Sequence, residues 1–345
     1  MERMNINGRM IANNTFPYFV AEVNSSHNGN LATAMEMADE IRRIGCDAIK
    51  FQSWSAETLY SADYYKENPI AKRMVSKFAM SEEQLFEISK HCRDIGLTFF
   101  STPYSRREVD FLVDECKAPM IKVASMDINN YAFLAYIANK GVPVILSTGM
   151  SSFDEIEKAV EIFKSCGNDA LCILHCVSQY PVDGKDVNLR NMQLLKDRFP
   201  DYSVGYSDHT TNADAAAAAT ALGAALIEKH FTLNNKKIGW DNQMATEPSG
   251  FTEMIEKCHA VFDILGSYER NVSEAELEQR TKMRRSIVAA RDLKAGQIIS
   301  LEDLDAKRPA TGLPADRMYT VVGQRLCRDI AKDEIIFASD LEGQV

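Results

Sequence analysis

The chain has 345 residues, 46% of them hydrophobic and 26% charged, with a formal net charge of −10. That balance is ordinary for a globular chain, and the length suits one large domain with a small module attached. The acidic excess argues against non-specific nucleic-acid binding and against docking to an anionic membrane. No apolar run reaches spanning length. The residues after Met1 lack the apolar centre of a signal peptide, so a cytoplasmic location is expected. The eight cysteines form no C-x-x-C pair and read as reduced thiols of that compartment.

Short apolar runs alternate with helical patterns along most of the chain. The first run, Tyr18–Val23, is followed by a helix over Leu31–Ile44, and Ala48–Gln52 by a long excursion, Ser53 to Met80, and a helix over Glu82–Ile95. Then come Thr98–Thr102 with Arg106–Cys116, Met120–Ser125 with Tyr131–Asn139, and Pro143–Thr148 with Phe153–Ser165. The last three pairs are Leu171–Cys176 with Leu189–Phe199, Ser203–His209 with Asn212–Leu222, and Ala225–Phe231 with Phe251–Leu265. Glycines such as Gly45, Gly96 and Gly223 punctuate the returns. Nearly continuous apolar strands spaced by helices predict a parallel sheet buried on both faces. Eight strand–helix units predict an α/β fold of the (β/α)8 TIM-barrel type over residues 1–268. A charged linker, 269–285, leads to a short-turned, β-rich module over 286–345. A core that small is marginal alone, so it should lean on the barrel or on a second chain.

The carboxyl ends of the strands, where such barrels place their chemistry, are polar. Glu22 lies near the end of strand 1, Lys50 and Gln52 close strand 2, and Thr102 closes strand 3. Strand 4 holds Lys122 and Ser125, and strand 5 carries Ser147. Ser207 with His209, and Glu228 with His230, share faces at the ends of strands 7 and 8. Two imidazoles on neighbouring strands, about 4.8 Å apart, can share one metal ion. A lysine inside an apolar strand is costly without an anion, so Lys50 and Lys122 read as an anion site. The plain alternatives are satisfied core histidines, lysines snorkelling at a rim, a structural ion pair at Glu22 and a surface charge at Arg308. His27 reads equally as a loop cap or a ligand contact. Adjacent His175 and Cys176 point to opposite faces and do not make a nucleophile pair.

In order along the chain, Ala21-Glu22, His27-Asn28-Gly29, Lys50-Phe51-Gln52, Ser207-Asp208-His209-Thr210, Glu228-Lys229-His230-Phe231-Thr232 and Lys307-Arg308-Pro309 resemble the sialic acid synthase family. The resemblance runs from Phe19 to about Leu341. It implies a TIM barrel with a C-terminal SAF, or antifreeze-like, domain. It also implies a transferase that condenses phosphoenolpyruvate with N-acetylmannosamine or a related amino sugar. By position, it implies metal ligation by His209 and His230, with Mn2+, Mg2+ or Co2+. Phosphoenolpyruvate would be held by Lys50, Thr102, Lys122, Ser125, Ser147 and Ser207. The sugar would meet Gln52, Asp127, Tyr180, Asp241 and, from the partner in a domain-swapped homodimer, Arg308. Glu22 would be the acid/base carboxylate. The chemistry is coherent: a multiply charged anion needs paired lysines and hydroxyl donors, and water adding at C2 needs a general base.

The chain departs from the family's usual text at Asn24 and Ser26, at Asp127 where glutamate is common, at Ser178, and around Trp240-Asp241. These positions lie on sugar-side or adjoining loops, so the phosphoenolpyruvate half is better specified than the sugar. Trp240 suggests a less polar sugar, such as a deoxy or diacetamido one. The excursion from Ser53 to Met80 is expected to shape that sugar site. A phosphorylated sugar would want a further cationic cluster, and none is evident beyond Lys66, Lys72 and Arg73. A metal-dependent hydrolase would show His-x-His in strand 1, which is absent. A non-catalytic sugar-binding barrel would not need Glu22, both lysines and both histidines together.

Overall fold

The computed structural model describes residues 4–237, 239 and 242–343. The chain divides into two compact units, Met1–Gly266 and Ser267–Val345.

In the first unit, a short hairpin pairing Asn5–Ile6 with Arg9–Met10 precedes eight parallel strands. These are β1 (Tyr18–Glu22), β2 (Ala48–Gln52), β3 (Thr98–Thr102), β4 (Ile121–Val123), β5 (Val144–Ser147), β6 (Leu171–Cys176), β7 (Ser203–Asp208) and β8 (Leu226–His230). Their hydrogen-bonded order is 3-2-1-8-7-6-5-4, and β3 packs beside β4 at the remaining seam. The result is a (β/α)8 barrel, as expected. Apart from the half-buried Gln52 and Ser203, every strand residue is buried, which explains the unbroken apolar text. Gly205 is required where it stands: a Cβ there would strike the carbonyl of Leu226 on β8.

The surrounding helices are α1 (Leu31–Arg43), α2 (Glu82–Asp94), α3 (Arg106–Asp110), α4 (Tyr131–Ala138), α5 (Phe153–Ser165), α6 (Arg190–Arg198), α7 (Asp214–Ala221) and α8 (Pro248–Leu265). Several begin where side chains satisfy orphan amides. Asn30 accepts from Thr33 at the start of α1, and Ser81–Gln84 and Ser152–Glu155 form capping boxes on α2 and α5. The helix expected over Arg106–Cys116 is α-helical only to Asp110; Phe111–Glu115 is a π turn, with the Cys116 amide reaching the Phe111 carbonyl at 3.0 Å. The excursion after β2 carries two helices, Ala62–Glu67 and Pro69–Phe78, over a small core of Trp54, Tyr65, Val75 and Phe78. No helix among the described residues is long and apolar enough to cross a membrane.

The second unit opens with helix α9 (Glu274–Met283), none of whose residues is buried. Antiparallel strands β9 (Ser286–Ala289) and β10 (Leu304–Lys307) follow, with short bridges such as Val288 to Ile335. Its separate core includes Ile287, Leu293, Ile299, Val321, Leu326 and Ile336.

Candidate active site

The carboxyl ends of the barrel strands enclose a cavity of about 230 Å³. Of the residues proposed from sequence, it is lined by Glu22, Lys50, Gln52, Thr102, Lys122, Ser125, Ser147, Tyr180, Ser207, His209 and His230. Asp127 does not line it; the residue sits on the turn that begins at Ser125, accepting from Asn130 at 3.4 Å. Trp240 and Asp241 lie outside the described residues. Arg308 is exposed in the second unit.

Strand alternation brings the charges together. Lys50 pairs with Glu22 at the mouth of β1 and donates to Thr102 Oγ1 at 3.2 Å. Lys122 Nζ donates to Ser147 Oγ at 2.7 Å and to Glu228 Oε1 at 3.3 Å. Glu228 lies two residues before His230, and its Oε1 also takes the Ser207 hydroxyl at 3.3 Å. Its Oε2 is buried with no hydrogen-bond partner among the described residues. Sequence reasoning placed Glu228 on the His230 face but gave it no role; its link to Lys122 spans the barrel interior, where spacing along the chain carries no signal. Tyr104, also unforeseen, donates to Gln52 Oε1 at 2.7 Å, and Trp54 Nε1 donates to the same oxygen at 3.2 Å.

Burial and pairing divide the two carboxylates. Burial holds the Glu22 carboxyl above its ordinary range despite Lys50, with Glu228 adding to the effect. Burial acts the same way on Glu228, but Lys122 and Lys50 outweigh it and hold that carboxyl below its usual range. For Lys50, burial is overcome by Glu22 and Glu228, which raise its ammonium; for Lys122, burial prevails and lowers it. One basin therefore holds two cationic groups, an ionised carboxylate and a carboxyl poised nearer neutrality.

The two histidines meet at the cavity wall, their ring centroids 5.4 Å apart. Tyr180 covers them, its ring 4.2 Å from that of His209 and edge-on to His230 at 5.8 Å. His209 Nδ1 lies 2.8 Å from the Val177 carbonyl, which can only accept, so Nδ1 carries the proton and Nε2 keeps its lone pair. Burial lowers both imidazoles, and His230 is depressed further by His209. His27 caps its loop instead: its Nδ1 accepts the Gly29 amide at 3.0 Å, and it stands apart from the lining residues. Cys176 lines the cavity while His175 faces away to the Val187 carbonyl, as alternation requires.

The cavity mouth is apolar in part. Met126, Met150 and Tyr180 are 57%, 73% and 52% exposed. Met150 adopts a left-handed φ of 61°, a conformation that a non-glycine residue holds only under constraint. The constraint is local: the Gly149 amide donates to Ser125 Oγ at 2.9 Å, and a Cβ on Gly149 would strike Ser178.

Comparison with known proteins adds to this geometry. The NeuB family profile matches residues 37–270, and the SAF domain profile matches residues 284–342. An uncharacterised protein of Methanocaldococcus jannaschii is 36% identical, covering 99% of this chain and 100% of its own. The N,N'-diacetyllegionaminic acid synthase of Legionella pneumophila is 35% identical over 94% of each chain. Among solved structures, the N-acetylneuraminic acid (sialic acid) synthetase of Leptospira borgpetersenii, in complex with citrate, superposes with a TM-score of 0.74. It is 31% identical and covers 80% of this chain and 94% of its own.

Proposed function

The chain belongs to the NeuB family, and from that premise we propose that it joins phosphoenolpyruvate to an N-acetylmannosamine-like aldose, giving a nonulosonic acid and phosphate. The observation that carries this reading is the convergence of Lys50, Lys122, Glu22, His209 and His230 on one cavity. Such a set suits a small, multiply charged anion beside an electrophile.

In this reading, Lys50 and Lys122 with Thr102, Ser125, Ser147 and Ser207 hold the phosphate and carboxylate of phosphoenolpyruvate. Gln52, held by Tyr104 and Trp54, faces the sugar together with Tyr180. Asp241 and the partner's copy of Arg308 are assigned to the sugar side by the family resemblance; Asp127, which does not line the cavity, is left out of it. The enol carbon C3 forms a bond to the aldehyde carbon, whose oxygen takes a proton from solvent to become a hydroxyl. Water then adds at C2, losing a proton to Glu22; the C2–O bond to phosphate breaks with its electron pair leaving on phosphate, and the added hydroxyl passes its remaining proton to the departing phosphate as the C2 carbonyl forms. Glu22 suits the proton step because burial brings its carboxyl toward the working pH.

The residues fit a divalent ion. Two neutral, buried imidazoles face one another, and the Val177 carbonyl fixes the His209 tautomer. We assign His209 and His230 as its protein ligands, with Mn2+, Mg2+ or Co2+ as the ion. When bound, it would polarise the sugar aldehyde as a Lewis acid.

An unphosphorylated, partly deoxygenated sugar is favoured, a diacetamido-trideoxyhexose in particular. Among the described lining residues, Lys50 and Lys122 are the only lysines or arginines, and both serve the other substrate. The Met126–Met150 rim offers apolar surface to acetamido methyl groups, and the likeness to the N,N'-diacetyllegionaminic acid synthase of Legionella pneumophila points the same way. The family resemblance implies a domain-swapped homodimer, which would carry Arg308 of one chain to the site of the other. The free cysteines and a glycolytic co-substrate suit the cytoplasm.

Steady-state phosphate release from phosphoenolpyruvate, measured with a panel of aldoses, tests the assignment. The diacetamido-trideoxyhexose should exceed N-acetylmannosamine in kcat/KM. A clear preference for N-acetylmannosamine would overturn the sugar assignment, and no release with any aldose would favour a binding protein.

A further inference from the structure

Behind the two histidines, on the helix side of β7 and β8, lies a second polar cluster. Alternation turns Glu228 and His230 toward the cavity and Lys229 away from it; on the neighbouring strand Asp208 is likewise turned away. The register sets Lys229 directly opposite Asp208. Lys229 Nζ lies 2.6 Å from Asp208 Oδ2 and 2.6 Å from the Thr210 carbonyl oxygen. Asp208 Oδ1 accepts the Tyr206 hydroxyl at 3.1 Å and the Thr210 amide at 2.9 Å. Asp208 and Lys229 are 1% and 2% exposed.

Stability alone is a weak reason for such a cluster, since a buried ion pair usually gains little over packed apolar side chains. Its position supplies a better one. The residues on both sides of His209, namely Asp208 and Thr210, are tied to Lys229, the residue immediately before His230. The His209 carbonyl is held in turn by the Val182 amide at 3.1 Å, and the His230 carbonyl by the Thr246 amide at 2.8 Å. His209 lies just beyond the end of β7, where ladder bonds no longer fix the backbone. A bond from Lys229 across to Thr210 replaces them.

We propose that Asp208 and Lys229 are positioning residues that fix the separation and orientation of His209 and His230 for one divalent ion. The proposal rests on the metal reading above and adds the device that sets ligand geometry. Groups that orient metal-binding imidazoles are typically worth about 10–100-fold in metal affinity.

The test uses the full chain, cobalt(II) chloride as probe, and the cobalt visible absorption as readout, beside the thermal midpoint and phosphoenolpyruvate affinity. The double variant Asp208→Asn/Lys229→Met removes both charges and leaves none buried alone. Its cobalt dissociation constant should rise by about 10-fold or more, with an altered spectrum, while the midpoint and phosphoenolpyruvate affinity stay near wild type. Lys229→Gln, which keeps a donor toward Thr210, should show a smaller loss and serves if the double variant does not fold. Unchanged cobalt affinity and spectrum in these variants would overturn the positioning role alone. A wild-type chain that binds no cobalt, or a His230→Ala chain that binds it as well as wild type, would overturn the metal site and this proposal with it.

Discussion

At the scale of single residues, Glu22 and His27 show what burial does to a titrating group. Glu22 must be ionised to accept a proton, and burial holds its carboxyl above the ordinary range. Turnover should therefore fall as pH drops through that raised value. Glu22→Gln should lower kcat by about 10²–10⁴-fold and remove this acid limb from the pH–rate profile. His27 is held down at about 4 by burial, against 6.5 for an ordinary imidazole. The unfolded chain then takes up the proton first, so the stability contribution is full above pH 6.5 and is lost as pH falls toward 4. Over that window His27 alone removes on the order of 3 kcal/mol. His27→Gln should flatten the decline of unfolding free energy between pH 6.5 and 4, and denaturant melts across that range measure it. Both lysines were legible because a charge inside an apolar strand demands an explanation. Glu228, Tyr104 and Met150 were not. Their roles depend on distances across the barrel and on a left-handed turn, which leave no periodic trace.

At the scale of elements, the strands were readable almost to the residue, since burial on both faces forces continuous apolar text. The expected runs overshoot where the backbone leaves the ladder to aim a side chain. Ser125 already lies in a 3-10 turn, and His209 follows the last residue of β7. The excursion after β2 reads from sequence only as a long loop. Ala62–Glu67 is too short for a clear 3.6-residue pattern and Asn68-Pro69 interrupts the segment, although Ala71, Met74, Val75 and Phe78 do keep the helical spacing. Its Trp54 nevertheless donates to Gln52 Oε1, so this element orients a cavity-lining amide, the one proposed to face the sugar, from behind. Trp54→Phe keeps the packing and removes the donor, a change worth about 1 kcal/mol. The sugar KM should rise about fivefold while the phosphoenolpyruvate KM stays constant, a split that steady-state kinetics resolves.

At the scale of the whole molecule, the change of composition after Gly266 marks the division into two units. The segment read as a linker contains α9, a mostly polar helix with no buried residue. In a swapped dimer, Arg308 and Glu22 of one active site come from different chains. Arg308→Ala and Glu22→Ala enzymes should each be nearly inactive, and mixing them under exchange conditions should restore part of the activity. A mixture as inactive as its parents would count against the swap. The proposed function places in one cavity a metal held by His209 and His230 beside an anion held by Lys50 and Lys122. The most direct measurement is sugar-dependent phosphate release from phosphoenolpyruvate before chelation, after EDTA, and after Mn2+ is restored, with His230→Ala in parallel. The account predicts loss with EDTA, recovery with Mn2+, and no recovery in His230→Ala; full turnover in EDTA or in that variant would contradict it.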